Sequence, residues 1–375
     1  MQFTLQHTDT VTKARTGLLV TDHGTIETPA FMPVGTLATV KSLLPRDVLA
    51  TGARICLANA YHLYLRPGTS IVREAGGIHR FANWEGAILT DSGGYQVYSL
   101  AGLRKITDDG VKFKSHIDGS AHYFTPEKVI EIERDLGPDI MMVLDECPPS
   151  NAERDVVAGA VNRTIRWAER AMEHITKTHP LHEYDQATFL IVQGGVHRDL
   201  RESCAEKLVA MDSFGYAIGG LAVGEPNQVM YEVTNWTTDI LPATKPRYLM
   251  GVGTPVDILE SIERGVDMFD CVLPTRNGRN GQLFTADGKL NMRNAKWKTD
   301  FSLIDETTDC YASQNFTKAY LAHLFNSDET LALTLATMHN IAFYQQLVRA
   351  ARERIVEGNF LSWKTEFVER YAPTS

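Results

Sequence analysis

The chain has 375 residues, 43% hydrophobic and 22% charged, with 46 acidic against 37 basic side chains and a net charge of −9. That length buries a large core, as two ordinary domains or one barrel with insertions. The acidic balance argues against coating nucleic acid by bulk electrostatics, although a few basic residues around one cleft suffice to hold a short piece of RNA.

From the start of the chain, residues 1–17 have neither the apolar core of a signal peptide nor transit-peptide character. A hairpin is expected to turn near Asp22-His23-Gly24. Short β-rich runs then recur at 31–35, 55–60, 87–91, 140–145, 189–193, 216–220, 248–251 and 268–272, with helical patterns between several of them. Thr125-Pro126 reads as an N-cap and first-turn proline, Val129, Ile132 and Leu136 as one apolar face, and Gly137 as a stop. Val157, Val161, Ile165, Ala168, Met172 and Ile175 line a second helix. Leu200, Cys204, Leu208 and Met211 line a third, and Ile258, Leu259 and Ile262 a fourth that ends at Gly265. A second hairpin pairs 282–285 with 289–292 across Asp287-Gly288, and residues 316–358 turn strongly helical.

No run approaches the roughly 18 apolar residues of a membrane span, and five scattered cysteines suit a reducing cytoplasm. Eight near-continuous apolar strands linked by helices lead us to expect an α/β chain forming a TIM (β/α)8 barrel. It would carry an N-terminal hairpin and a C-terminal helical subdomain from about residue 296 to 375, in one domain spanning 1–375. Strand order is not legible, so a doubly wound open sheet stays open as the alternative.

The ends of the runs concentrate polar and glycine residues. The third ends in Asp91-Ser92-Gly93-Gly94-Tyr95-Gln96, the fourth in Asp145-Glu146-Cys147 and the fifth in Gln193-Gly194-Gly195. The sixth leads into Gly219-Gly220-Leu221, the seventh into Met250-Gly251-Val252-Gly253, and the eighth into Asp270-Cys271. Any one of these has a bland reading as a cap or tight turn; their convergence on one barrel mouth does not. Asp91 and Asp270 suit the paired carboxylates of glycosidic chemistry, one a nucleophile at the anomeric carbon and the other an acid/base. Asp145 and Gln193 suit the hydrogen-bonding edge of a heterocycle, with backbone groups of Gly220 and Leu221, while Tyr95 and Met250 can sandwich a flat ring. Metal ligation by the same aspartates is the rival, unsupported by any helical His pair.

Several ordered blocks then carry a resemblance. They are Thr28 to Gly35 (TPAFMPVG), Asn59 to Gly68 (NAYHLYLRPG), Leu89 to Tyr95 (LTDSGGY), Asp145-Glu146-Cys147, Gln193-Gly194-Gly195, Gly219 to Glu225 (GGLAVGE), Tyr248 to Gly253 (YLMGVG) and Met268 to Arg276 (MFDCVLPTR). Over essentially its whole length the chain resembles the bacterial queuine tRNA-ribosyltransferases, the tRNA-guanine transglycosylases. The resemblance implies a pentosyltransferase that exchanges guanine at wobble position 34 of tRNAs with a GUN anticodon, through a covalent enzyme–RNA intermediate in queuosine biosynthesis. It implies Asp270 as nucleophile and Asp91 as proton acceptor or donor. Ser92, Gly93, Gly94, Tyr95, Asp145, Gln193, Gly220, Leu221 and Met250 would meet the base. Gly251, Val252, Gly253, Thr254, Pro255, Val256 and Asp257, with Thr275, Arg276, Asn277, Gly278 and Arg279, would meet the RNA. The implied partners are the tRNA anticodon loop, a 7-deazaguanine base and a second copy of the chain. Cys147 and Val223 match the bacterial pattern, which favours 7-aminomethyl-7-deazaguanine. Ser150 departs from the aromatic residue many relatives carry.

One block breaks. The family's structural zinc uses Cys-x-Cys-x-x-Cys and a later His, whereas here the stretch reads Thr308-Asp309-Cys310-Tyr311-Ala312-Ser313 with His339 downstream. Only Cys310 and His339 remain of the ligand set, and hydroxyls are poor substitutes for thiolates. The expectation is no metal and no cofactor, with packing around Tyr311, Phe316 and the helix bearing His339 in its place. A non-catalytic subunit of a heterodimeric transglycosylase is the alternative function. A sugar-directed glycoside hydrolase is a more distant one, because it accounts for neither the base-reading residues nor the Arg276/Arg279 pair.

Overall fold

The computed structural model describes residues 1–100 and 104–371. Its centre is an eight-stranded parallel sheet of Ala30–Pro33, Ile55–Asn59, Ala87–Asp91, Ile140–Met142, Ala187–Val192, Gly215–Ile218, Arg247–Leu249 and Met268–Cys271, here called the first to eighth barrel strands. From the second strand to the eighth each pairs with its sequence neighbour, and the eighth pairs with the first in the register Asp270 to Met32. The seam between the first and second strands closes through the bridge Val34–Leu57, where Gly35 N–H donates to Leu57 C=O at 2.7 Å. A ring order that follows the sequence, closed on itself, is a barrel and not a doubly wound sheet.

The strands form because their Val, Ile, Leu, Met and Phe side chains are covered on both faces. Met32, Leu57, Leu89, Met142, Ile191 and Ala217 fill the barrel, whereas Leu190, Tyr216, Leu249 and Phe269 point outward beneath the helices. The first of those helices shows why the local signals were readable. Thr125 Oγ1 accepts Lys128 N–H at 3.2 Å, Pro126 opens the helix Pro126–Leu136, and Gly137 ends it in the left-handed region. Arg154–Thr176, Arg198–Val209 and Pro255–Glu263 stand where their apolar faces predict them.

Two additions differ from expectation. The N-terminal hairpin is a three-stranded sheet, Gln2–Thr8, Arg15–Thr21 and Gly24–Thr28, whose Leu19 and Ile26 pack with the barrel interior and stop its lower end. A second three-stranded sheet, Arg104–Thr107, Gly110–Lys114 and Ala121–Phe124, leaves the barrel after the third strand. The later hairpin forms one residue earlier than expected, Thr285 facing Gly288 around Ala286-Asp287.

At the lower end the turn of the first sheet is pinned to the barrel. His23 Nδ1 lies 2.9 Å from Asp139 Oδ1, His79 Nε2 lies 3.2 Å from Asp139 Oδ2, and Ile88 N–H donates to Oδ2 at 2.8 Å. The two imidazoles stack 3.5 Å apart and within 10° of parallel. A metal lies in the plane of each ring that ligates it, so rings stacked face to face cannot share one; this is a histidine clamp on a buried carboxylate.

The C-terminal helices reach the barrel through the long helix Thr330–Val356. Gln345 donates to Phe31 C=O at 2.9 Å, Tyr344 to Gly253 C=O at 2.5 Å, and Asn340 to Pro274 and Gln282 carbonyls at 2.9 and 3.0 Å. The last two contacts fix the backbone just beyond the eighth strand, where expected site residues begin.

Candidate active site

All three acidic candidates stand at the upper ends of barrel strands. Asp91 closes the third strand and Asp270 lies in the eighth. Asp145 follows the fourth and is 8% exposed. Asn59, at the end of the second strand, sits beside Asp91 in register. Its Oδ1 caps the next helix by accepting His62 N–H at 3.1 Å, which turns its Nδ2 to donate to Asp91 Oδ2 at 2.5 Å. Gln96 Nε2 donates to the same oxygen at 3.0 Å, and Gly93 N–H to Oδ1 at 3.2 Å. Burial, followed by the charge of Asp270, nevertheless pushes the Asp91 carboxyl up to about 7.

Asp270 is held asymmetrically. Tyr248 Oη donates to Oδ1 at 2.6 Å and Gly251 N–H to the same Oδ1 at 2.7 Å. Burial raises this carboxyl as well, against those two donors.

Asp145 and Gln193 form a unit, Gln193 Nε2 donating to Asp145 Oδ2 at 2.7 Å, with Ser92 Oγ 3.4 Å from Oδ1. Burial pushes Asp145 up to about 6. Gly94 is required here because a Cβ would come within 2.8 Å of the Asp145 carbonyl and 2.9 Å of its Oδ1. Gly219 is required in the same way, its Cβ meeting Gln193 Nε2 and Ile191 at 2.7 Å. Beneath them lies Arg201, fully buried. It donates to the carbonyls of Val192 and Gly219 at 2.9 and 2.8 Å and to that of Gly195 at 2.7 Å, tying the ends of the fifth and sixth strands together. Glu225 holds the loop after the sixth strand by accepting Ala222 and Val223 N–H at 2.5 and 3.1 Å.

Tyr95 is 51% exposed in the first turn of the helix Gly94–Leu100, Met250 is half-buried after the seventh strand, Gly220 lies against the Gln193 side chain, and Leu221 is buried. The residues expected to meet RNA divide into two kinds. Val252, Gly253, Pro255, Asp257, Thr275 and Gly278 are buried and shape the loops. Asp257, for instance, accepts from Asn227 and Tyr231 and binds Thr254 Oγ1. Gly251 and Arg276 are exposed, with Thr254, Val256, Asn277 and Arg279 partly so, and a buried Nη1 of Arg279 has no hydrogen-bond partner. Among these residues only the second kind present surface at the mouth. Asn59, Gln96 and Tyr248 stand inside the motif blocks, but their roles, like that of Arg201, depend on the neighbour each one faces; the position of Asn59 directly after Ile55–Ala58, at the start of a helix, was the one local signal.

The family model for queuine tRNA-ribosyltransferase matches residues 9–373. Relatives of that name include one from Caldanaerobacter subterraneus subsp. tengcongensis, 57% identical over 363 residues, 97% of this chain and 96% of the relative. Another, from Thermoanaerobacter pseudethanolicus, is 55% identical over 371 residues, covering 99% of this chain and 98% of the relative. A third, from Macrococcus caseolyticus, is 51% identical over 358 residues, covering 96% and 93%. The chain belongs to the queuine tRNA-ribosyltransferase family.

Against that family the departure at 308–313 takes a definite form. Ser313 Oγ lies 3.1 Å from Cys310 Sγ and 2.7 Å from His339 Nδ1, and His339 Nε2 lies 2.8 Å from Phe284 C=O. Thr308 Oγ1 turns to Asp305 at 2.8 Å. Burial raises the Cys310 thiol, which opposes the thiolate a zinc requires, and the imidazole is already bonded at both nitrogens. This donor set does not fit a tetrahedral zinc. The expected packing about Tyr311 is also corrected, since Tyr311 is 66% exposed and meets Phe316 only edge-on. Phe316 does pack, partly buried, on the cluster that holds Cys310, Ala312 and Leu335, Ala336 and Met338 of the long helix, and Ser313 adds the polar link. The other noted departure, Ser150, lies against Gly224, where a Cβ would stand 2.9 Å from its Oγ.

Proposed function

We propose that this chain exchanges guanine at wobble position 34 of tRNAs with a GUN anticodon for 7-aminomethyl-7-deazaguanine, in queuosine biosynthesis. The observation that carries the reading is the unlike poise of two carboxylates at one mouth. Asp91 sits near neutrality, as a group that both gives and takes a proton must. Asp270 has one oxygen doubly hydrogen-bonded and the other without a bond among the described residues. Asp270 attacks ribose C1′ as guanine leaves, and Asp91 supplies the departing base with its proton. The incoming base surrenders a proton to Asp91 and displaces Asp270. The Asp145–Gln193 unit, with Gly220 and Leu221, reads the polar edge of the base, and Tyr95 and Met250 stack on its faces. Gly251, Arg276 and the partly exposed Arg279 meet the splayed anticodon loop. Ser92, Gly93 and Gly94 shape the floor.

A non-catalytic subunit is disfavoured because the full set Asp91, Asp145, Gln193 and Asp270 is retained and converges. Exchange of labelled guanine into GUN-anticodon tRNA tests the reading; incorporation by wild type and none by Asp270→Ala is expected, and no incorporation by folded wild type sinks it. Exposed Phe301, Tyr311 and Tyr320 near the C-terminal helices suit a homodimer, to be read by sedimentation. No helix among the described residues is long and apolar enough to cross a membrane, and five free buried cysteines suit the cytoplasm. The Cys310–Ser313–His339 relay stands in for the family zinc. Protein never exposed to added zinc should then carry none, and one zinc per chain held at these residues refutes the relay.

A further inference from the structure

We propose that Asp270 attacks through Oδ2 and that Tyr248 is a positioning residue that withholds Oδ1 and eases release of the RNA from the enzyme. This rests on the transglycosylase reading above and assigns atoms within it. Oδ1 accepts Tyr248 Oη at 2.6 Å and Gly251 N–H at 2.7 Å, whereas Oδ2 accepts no hydrogen bond among the described residues. Two donors occupy the lone pairs of Oδ1 and set the plane of the carboxylate, which leaves Oδ2 as the oxygen with electrons to give. Tyr248 is fully buried in the barrel interior, and burial together with the Asp270 charge holds its phenol well above the usual range, so it stays a donor throughout.

In the first half of exchange an Oδ2 lone pair forms the bond to C1′. The C1′–N9 bond breaks, its electron pair leaves with guanine, and N9 takes the proton of Asp91. In the second half the incoming base loses its proton to Asp91 and its nitrogen bonds C1′. The C1′–Oδ2 pair then returns to the carboxylate. Both donors remain on Oδ1, which is a carbonyl oxygen in the ester and half an anion in the free enzyme. Hydrogen bonds to an anion are roughly twice as strong as those to a neutral acceptor. Tyr248 therefore favours the free carboxylate over the ester and makes Asp270 a better leaving group.

Tyr248→Phe keeps the ring and removes the donor. With tRNA at a fixed guanine concentration, the fraction of enzyme held as a denaturation-stable RNA adduct should rise, with about a tenfold larger equilibrium constant for its formation. Added base should chase the adduct about tenfold more slowly. The acidic limb of the exchange rate should also move to higher pH, because a donor that favours the ionised Asp270 is gone. A merely structural role predicts less adduct in step with lost activity, and that result, or an unchanged adduct, overturns the proposal. Should the variant fail to fold, the structure of the trapped wild-type adduct decides. C1′ on Oδ2 with Tyr248 still on Oδ1 supports it, and C1′ on Oδ1 refutes it. A wild type that neither exchanges guanine nor forms an adduct removes the transglycosylase reading itself.

Discussion

At the lower end of the barrel Asp139 is clamped by His23 and His79 and accepts the Ile88 amide; against burial, which raises it, these neighbours hold its carboxyl down to about 2. At the upper end Asp91 and Asp145 are pushed up to about 7 and about 6, with burial the first cause in each. Desolvation acts on all three alike. What separates them is their partners: the Asp139 carboxylate has hydrogen bonds from two imidazoles to lower it, whereas Asp91 has amide donors and the charge of another carboxylate beside it. An aspartate with matched partners adds to stability, and one left short of them is poised to react, at a cost to the fold.

Substitutions at each end sharpen that contrast or break it. The largest effect is expected from Asp91→Asn, which should lower guanine exchange by about a thousandfold or more. The same change should leave the melting temperature at pH 8 unchanged or higher. The sign follows from the raised value: ionising Asp91 is penalised in the folded state from the ordinary aspartate range upward, and asparagine removes that penalty. A large loss of stability would instead make Asp91 a structural residue. Next comes Asp139→Ala, expected to destabilise by about 3–5 kcal/mol in denaturant unfolding, by stripping a buried carboxylate from its histidines. Turnover per folded molecule should be unchanged, and a fall in it would link the two ends. Because Asp139 is depressed, its contribution is complete above the ordinary carboxylate range and is lost as pH falls through about 2. Smallest is Asn59→Ala, which removes one of the two side-chain donors on Asp91 Oδ2, leaving that of Gln96, and should cost about tenfold in kcat with little change in KM. A change in KM alone would assign Asn59 to binding.

Most barrel strands were legible as short runs rich in Val, Ile, Leu, Met, Phe and Ala, buried on both faces; the weakest are Gly215–Ile218 and Arg247–Leu249, which read Gly-Tyr-Ala-Ile and Arg-Tyr-Leu. Gln2–Thr8 was not, because one face of it is exposed and Phe3 and Leu5 are its only large apolar side chains. The excursion Arg104–Phe124 was hidden for the same reason, since its short strands carry Arg104, Lys105, Lys112 and Lys114. In the site, the residues whose own chemistry is distinctive could be read: three aspartates, Gln193 and the glycines. Partners such as Asn59, Tyr248 and Arg201 could not, because their importance lies in the atom they face. Burial of Asp257 and Thr275 within their own loops was equally invisible, spacing being silent about which side of a loop is covered.

Arg201 gives its guanidinium hydrogens to three main-chain carbonyls and keeps no carboxylate partner among the described residues. A planar fork that bonds backbone from two strands freezes their relative height, which a lysine could not do. The bed under Gln193 and Gly220 is therefore set when the chain folds and need not be rearranged as each base arrives. One base leaves this bed and another of nearly the same outline takes its place. A surface that held its shape in the interval would greet both at the same level, and would keep the RNA waiting for the shortest time between them.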